Sequence, residues 1–203
     1  MEKHPTIVGV VGGVVGTILL GIVVWLTIAY TGVYNVAASD QHFDAVRWTL
    51  DTTMHRSVAN RAGGVDLPEN VSEDLLAEGA GHYAESCAHC HGGPGQEPAG
   101  WSRGMRPEPP HLTEAATEWT GEEIYWIAAN GIKMTGMPAF GEHHSPEEIT
   151  AIAVFISALP GLSADDYSRL TGSAQGQAEE TPAPAAGDVP GGPPPGAAES
   201  QSE

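Results

Sequence analysis

The strongest constraint on this chain is an uncharged run at its start. Residues 5–39 contain no Asp, Glu, Lys or Arg, and positions 6–30 are almost all apolar. A helix rises about 1.5 Å per residue, so such a run exceeds the ~30 Å hydrocarbon core of a bilayer. The expectation is a transmembrane helix over 6–30, with residues 1–5 as a short cytoplasmic end. A cleaved secretory leader is the competing reading, and Val36-Ala37-Ala38 resembles a cleavage site. The apolar core of a leader is usually about 7–15 residues, and this run is far longer. Gly9, Gly13, Thr17 and Gly21 recur every fourth residue along the span. They put small side chains on one helix face, where a second transmembrane helix can approach, although Gly is common in such helices anyway.

After the span the chain changes character three times. Over residues 31–70, Phe43, Val46, Leu50, Met54 and Val58 follow helical spacing and predict an amphipathic helix from about 40 to 62, with Ser39 or Asp40 as its cap. That helix can rest on the domain, on a partner subunit or along the membrane surface, and its pattern does not choose. Gly63-Gly64 and Pro68 mark residues 62–70 as a linker. Residues 71–171 are the one stretch able to build a core, and they have an ordinary domain's length. Residues 172–203 hold six Pro, six Gly, seven Ala and five acidic residues, with no Lys, Arg or aromatic. A segment like that buries too little apolar surface to offset the entropy of ordering, so a disordered acidic tail is expected.

Eight Lys and Arg stand against 26 Asp and Glu, for a net charge of −18. Phosphate neutralisation needs clustered cations, so nucleic-acid binding is excluded. Lys133 is the only lysine beyond residue 3. If docking to other proteins is electrostatic, the partner's patch should be basic. Solubility or a salty habitat accounts for the acidity equally well.

The chemistry sits at Cys87-Ala88-His89-Cys90-His91. C-x-x-C-H is the attachment pattern of c-type heme. Two thiols three residues apart reach two vinyl groups on one porphyrin edge, and the following imidazole is aimed at the iron. Both cysteines of the chain are used. A zinc site would need a second ligand pair, and a redox C-x-x-C would sit beside a βαβ pattern that is missing here.

Residues 79–91 resemble the first helix and heme motif of class I, monoheme cytochromes c, in a bacterial membrane-anchored form. Gly79 lies eight residues before the first Cys and Tyr83 four before it, as in that family. The resemblance implies an all-α domain around one covalently bound heme c. In it Gly79 lets the last helix cross the first, and Tyr83 pairs with Phe155. Residues 130–141 resemble the family's methionine loop, which implies Met137, followed by Pro138, as the distal iron ligand opposite His91. Met134 stays open as the alternative, with Met105 behind it. Pro110-His111-Leu112 matches the family's Pro-x-Leu, implying that the Pro110 carbonyl orients His91 and that Leu112 packs on the porphyrin. Trp119, Tyr125 and Trp126 are expected at the heme pocket or core. His82, His89, His111, His143 and His144 are read as surface or loop residues with no ligand role.

Local signals agree with helices. Thr120-Gly121-Glu122-Glu123 and Ser145-Pro146-Glu147-Glu148 are capping boxes ahead of 124–130 and 149–159. A heme held by His91 and Met137 has no open position, which suits one-electron transfer. The expectation is therefore an electron carrier between respiratory-type redox partners, not an enzyme. Heme attachment of this kind occurs outside the cytoplasm in bacteria, so the domain is expected in the periplasm or outside the cell, anchored by its single span in the inner membrane. Two alternatives remain: a dedicated heme c subunit of a terminal oxidase or nitric oxide reductase, or a heme sensor or peroxidase with a displaceable distal ligand.

Overall fold

A computed structural model describes residues 4–180, with side chains from 7 to 172. Among the described residues the structure is helical and contains no strand, only one isolated bridge between Gly93 and Gln96. Helix α1 (His4–Thr31) carries the apolar run, and Ile7–Thr31 meets the length and hydropathy of a membrane span, with none of it buried in the protein. Three hydroxyls along it bond back to carbonyls four residues earlier, such as Thr17 Oγ1 to Gly13 O at 2.9 Å. In hydrocarbon this keeps polar groups satisfied within the helix.

Helix α2 (Asp44–Ala59) starts four residues later than its pattern suggested, and neither Ser39 nor Asp40 caps it. Residues 37–40 close a turn instead, with Asp40 N–H donating to Ala37 O, and the Asp40 side chain is held by Asn35. Phe43 takes the N-cap position without a side-chain bond. α2 ends at Ala59, and Ala62 beyond it is buried, its N–H bonded to Val58 O at 2.9 Å.

The core is a crossing of α3 (Glu73–Ser86) and α7 (Pro146–Ala158), flanked by α6 (Gly121–Asn130) and α8 (Ala164–Glu180). Gly79 faces the α7 backbone so closely that a Cβ there would stand 2.6 Å from the Ala151 carbonyl carbon and 2.8 Å from Phe155 Cβ. Tyr83 and Phe155 meet next to it, with ring centroids 5.3 Å apart and both side chains buried. Ile149, Ile152, Ile156 and Leu159 fill the rest of the α7 face. Both capping boxes form, each with the side chain of Thr120 or Ser145 and its reciprocal Glu bonded in the i,i+3 pattern.

One element was not foreseen. α8 runs through Gly172 to Glu180, so the first part of the stretch assigned to a disordered tail is helical; residues 181–203 lie outside the described residues. α7 is consequently not the last helix. Tyr167 and Leu170 bury against the α3/α7 pair, and Arg169 bridges to Glu73 at 3.0 Å. Burial of these few side chains by docking, rather than a long apolar stripe, accounts for the helix.

Candidate functional site

The site begins where α3 ends. Cys87 is the C-cap of α3, and a short second turn, α4 (Ala88–His91), follows at once. His91 N–H bonds to Cys87 O at 3.0 Å, so the residues at 87, 90 and 91 lie within a single turn. Gly92 closes it at φ +65°, where a Cβ would also meet Gln96 O at 2.6 Å. Only glycine fits both the conformation and the space. The buried Tyr83 hydroxyl donates to Gly92 O at 2.7 Å and ties this turn back to the helix crossing. Burial raises the Tyr83 hydroxyl pKa far above its usual value, so it stays a donor.

Cys87 is buried and Cys90 half-buried, both as free thiols. Burial, with neighbouring Cys90 adding to it, pushes the Cys87 thiol up to about 12. A thiol kept protonated in this way lacks the thiolate character of redox C-x-x-C pairs. His91 is buried, and its Nδ1 lies 2.8 Å from Pro110 O. A carbonyl only accepts, so Nδ1 carries the proton and Nε2 keeps its lone pair. Burial lowers the His91 pKa, outweighing the opposing bond to Pro110, so the ring is neutral. Of the prolines in the 107–110 run, Pro110 is the one whose carbonyl meets His91.

The methionine loop is built by its own backbone. Gly131 ends α6 at φ +63°, packed so that a Cβ would sit 2.6 Å from Pro138 C. Ile132 N–H reaches Met137 O at 3.2 Å, and Met137 N–H reaches Thr135 Oγ1 at 3.0 Å. These bonds leave Met137 half-buried. Met134 stands at φ +65° with its side chain 76% exposed. Met105 sits with its terminal methyl against Gly136. The stretch from Met105 to Pro110 therefore runs from the methionine loop to the His91 buttress. Leu112 opens α5 (Leu112–Ala115) and packs against the core, as do Trp119 and Tyr125. Trp126 is half-buried on α6.

One residue here carried no signal in the sequence. Arg106 donates from Nη1 to Arg103 O at 3.0 Å and Met105 O at 2.7 Å, yet its buried Nε has no acceptor among the described residues. His111, read as a surface or loop residue, sits in the loop before Leu112, half-buried with Nδ1 on Thr113 Oγ1 at 2.7 Å. His82 likewise packs between Glu148 and His144 rather than standing free.

Residues 74–156 match the family model described as cytochrome C oxidase, cbb3-type, subunit III. This stretch is a cytochrome c family domain. No curated protein and no solved structure matches the chain. The cytochrome c domain spans most of α3 to α7 and holds Cys87, His91, Pro110 and Met137, while α1, α2 and α8 lie outside the match. A domain of this family implies heme c and an electron-transfer role. The residues present fit that group: two free thiols, a neutral buried imidazole with one nitrogen to spare, and an enclosed guanidinium nitrogen wanting an anionic acceptor, as a propionate would supply.

Proposed function

We propose that this protein is a membrane-anchored electron carrier whose single heme c is attached at Cys87 and Cys90 and ligated by His91 and Met137. The observation that carries the reading is the 2.8 Å contact between His91 Nδ1 and Pro110 O. It comes from a loop remote in sequence, holds the tautomer, and directs Nε2 as the available ligand atom. Such a partner also raises the ligand's basicity. Bound there, a heme would supply one-electron chemistry, with His91 and Met137 as the residues that would hold its iron. The chain's own part is to hold the imidazole neutral and oriented, to present Met137 from a loop braced by Thr135 and Ile132, and to enclose the Cys87 side. Met137 is preferred over Met134 because the latter side chain points into solvent. Leu112 and Trp126 are assigned to packing at the heme.

Anchoring through α1 in the inner membrane, with the cytochrome domain in the periplasm, completes the reading. Residues 1–5, 6–30, 31–70, 71–171 and 172–203 serve as cytoplasmic end, anchor, juxtamembrane helix, cytochrome domain and tail, the last boundary moving to the end of α8. Redox partners would carry a basic docking patch to meet the acidic surface. A second reading, a dedicated heme c subunit of a membrane oxidoreductase, is favoured by the description of the matched family. Purification in mild detergent separates the two: a stoichiometric complex supports the subunit, and a monodisperse lone protein supports the carrier.

Ligation is tested by single replacements in the ferric holoprotein. Met137→Ala should abolish the methionine–iron charge-transfer band, and Met134→Ala should leave it intact. The opposite pattern would assign the ligand to Met134. Rapid carbon monoxide binding by the ferrous wild type at neutral pH would refute the carrier.

A further inference from the structure

Helix α2 is covered over only half its length. Its C-terminal half grips the cytochrome domain: Val58 is buried, and the His55 ring stacks on Trp119 of the segment before α6, with centroids 4.4 Å apart and planes 5° from parallel. At its N-terminal end Phe43 is 70% and Trp48 69% exposed. Apolar side chains of this size are not left in water on one short stretch without a cover.

The connection to α1 says what the cover is. The chain between Thr31 and Asp44 does not run freely away from the span. Tyr34 hydroxyl bonds to His42 Nδ1, and the Tyr34 ring meets Phe43 edge-on, with centroids 5.8 Å apart. Asn35 and Asp40 bond across the same loop, and Asp40 N–H closes it onto Ala37 O. Phe43 is thus brought back beside Tyr34, just beyond the end of the span, and α2 begins at that level. Tyr30 is exposed at the end of α1. With Tyr34, Phe43 and Trp48 it gathers aromatic side chains where a bilayer meets water, the depth such rings prefer.

We infer that the N-terminal end of α2, through Phe43 and Trp48, is a lipid-binding surface seated in the headgroup region of the same bilayer that α1 crosses. The C-terminal half then holds the cytochrome domain against that surface in one orientation, rather than on a loose tether. This rests on the reading of α1 as a membrane anchor.

The test uses the full-length holoprotein in nanodiscs containing anionic phosphatidylglycerol, with and without bromine on the acyl chains. Brominated lipid quenches only tryptophans in contact with it, and the ratio of the two samples cancels quenching by heme. The Trp48 component is the difference between wild type and Trp48→Leu, and the Trp25 component comes from Trp25→Leu in the same way. Trp48 is exposed, so its replacement does not disturb the core. Lipids brominated near the headgroup should quench the Trp48 component at least twofold. Deeply brominated lipids should quench Trp25 more than Trp48. An unquenched Trp48 beside a quenched Trp25 would overturn the lipid seat and leave a protein partner as its occupant. If Trp25 is unquenched too, the anchor reading falls, and the inference with it.

Discussion

Replacing Gly79 with alanine tests the helix crossing that supports the whole site. A methyl at that position would enter the Ala151 carbonyl, 2.6 Å from its carbon and 2.8 Å from Phe155 Cβ. Carbon atoms settle at about 3.5–4.0 Å, so α3 and α7 must separate by roughly 1 Å. A gap of that size forfeits a quarter to a half of each dispersion contact nearby, including those of the Tyr83–Phe155 pair. Overpacking of this kind costs about 1–3 kcal/mol, and here the obstacle is backbone, which yields least. Alanine's better helix propensity returns about 1 kcal/mol at most. The expected net loss is about 1–2 kcal/mol, visible as a lower urea midpoint of the detergent-solubilised holoprotein followed by circular dichroism. Gly104→Ala is the control, because nothing lies within 4 Å of its Cβ; it should stay within about 0.5 kcal/mol of wild type. Equal or greater stability for Gly79→Ala would refute the close crossing.

Tyr83→Phe keeps the ring pair but removes the donor to Gly92 O, leaving a buried carbonyl without its partner. It should cost about 1–3 kcal/mol in urea unfolding, with the visible spectrum retained. Glu148 titrates below the usual carboxylate range, chiefly because it accepts from the Ser145 backbone N–H, with His82 and His144 adding to the effect. A carboxylate with a depressed pKa contributes stability that is present above its ordinary pKa and lost as pH falls through the depressed value. Urea midpoints measured from about pH 6 down to about pH 3 should therefore fall less steeply for Glu148→Gln than for wild type. Parallel curves would show that the cap does not depend on charge.

Some features could be read directly because their causes are local. The capping boxes at Thr120 and Ser145 join residues three apart, so four letters contain both partners. Cys87, Cys90 and His91 share a turn for the same reason. Gly79, Tyr83 and Phe155 were legible only through family resemblance, since their meeting is a long-range contact. The start of α2 was misplaced because the Asn35–Asp40 contact and the turn at Ala37 took the residues that would have capped it. Arg106 gave no warning, as a lone Arg in a Pro-rich loop looks solvated until its neighbours enclose it.

The uncharged run and the C-x-x-C-H motif thus point, by composition and spacing alone, to a helix long and apolar enough to span a membrane and to the place where the proposed heme would attach. Hydrophobic length and covalent reach are properties of contiguous residues. Tertiary structure decided the rest: which proline meets His91, which methionine is turned inward, that α8 closes the core, and that α2 is covered at its C-terminal half only. Each depends on groups brought together from distant parts of the chain, where burial and backbone direction, not residue type, choose the partner.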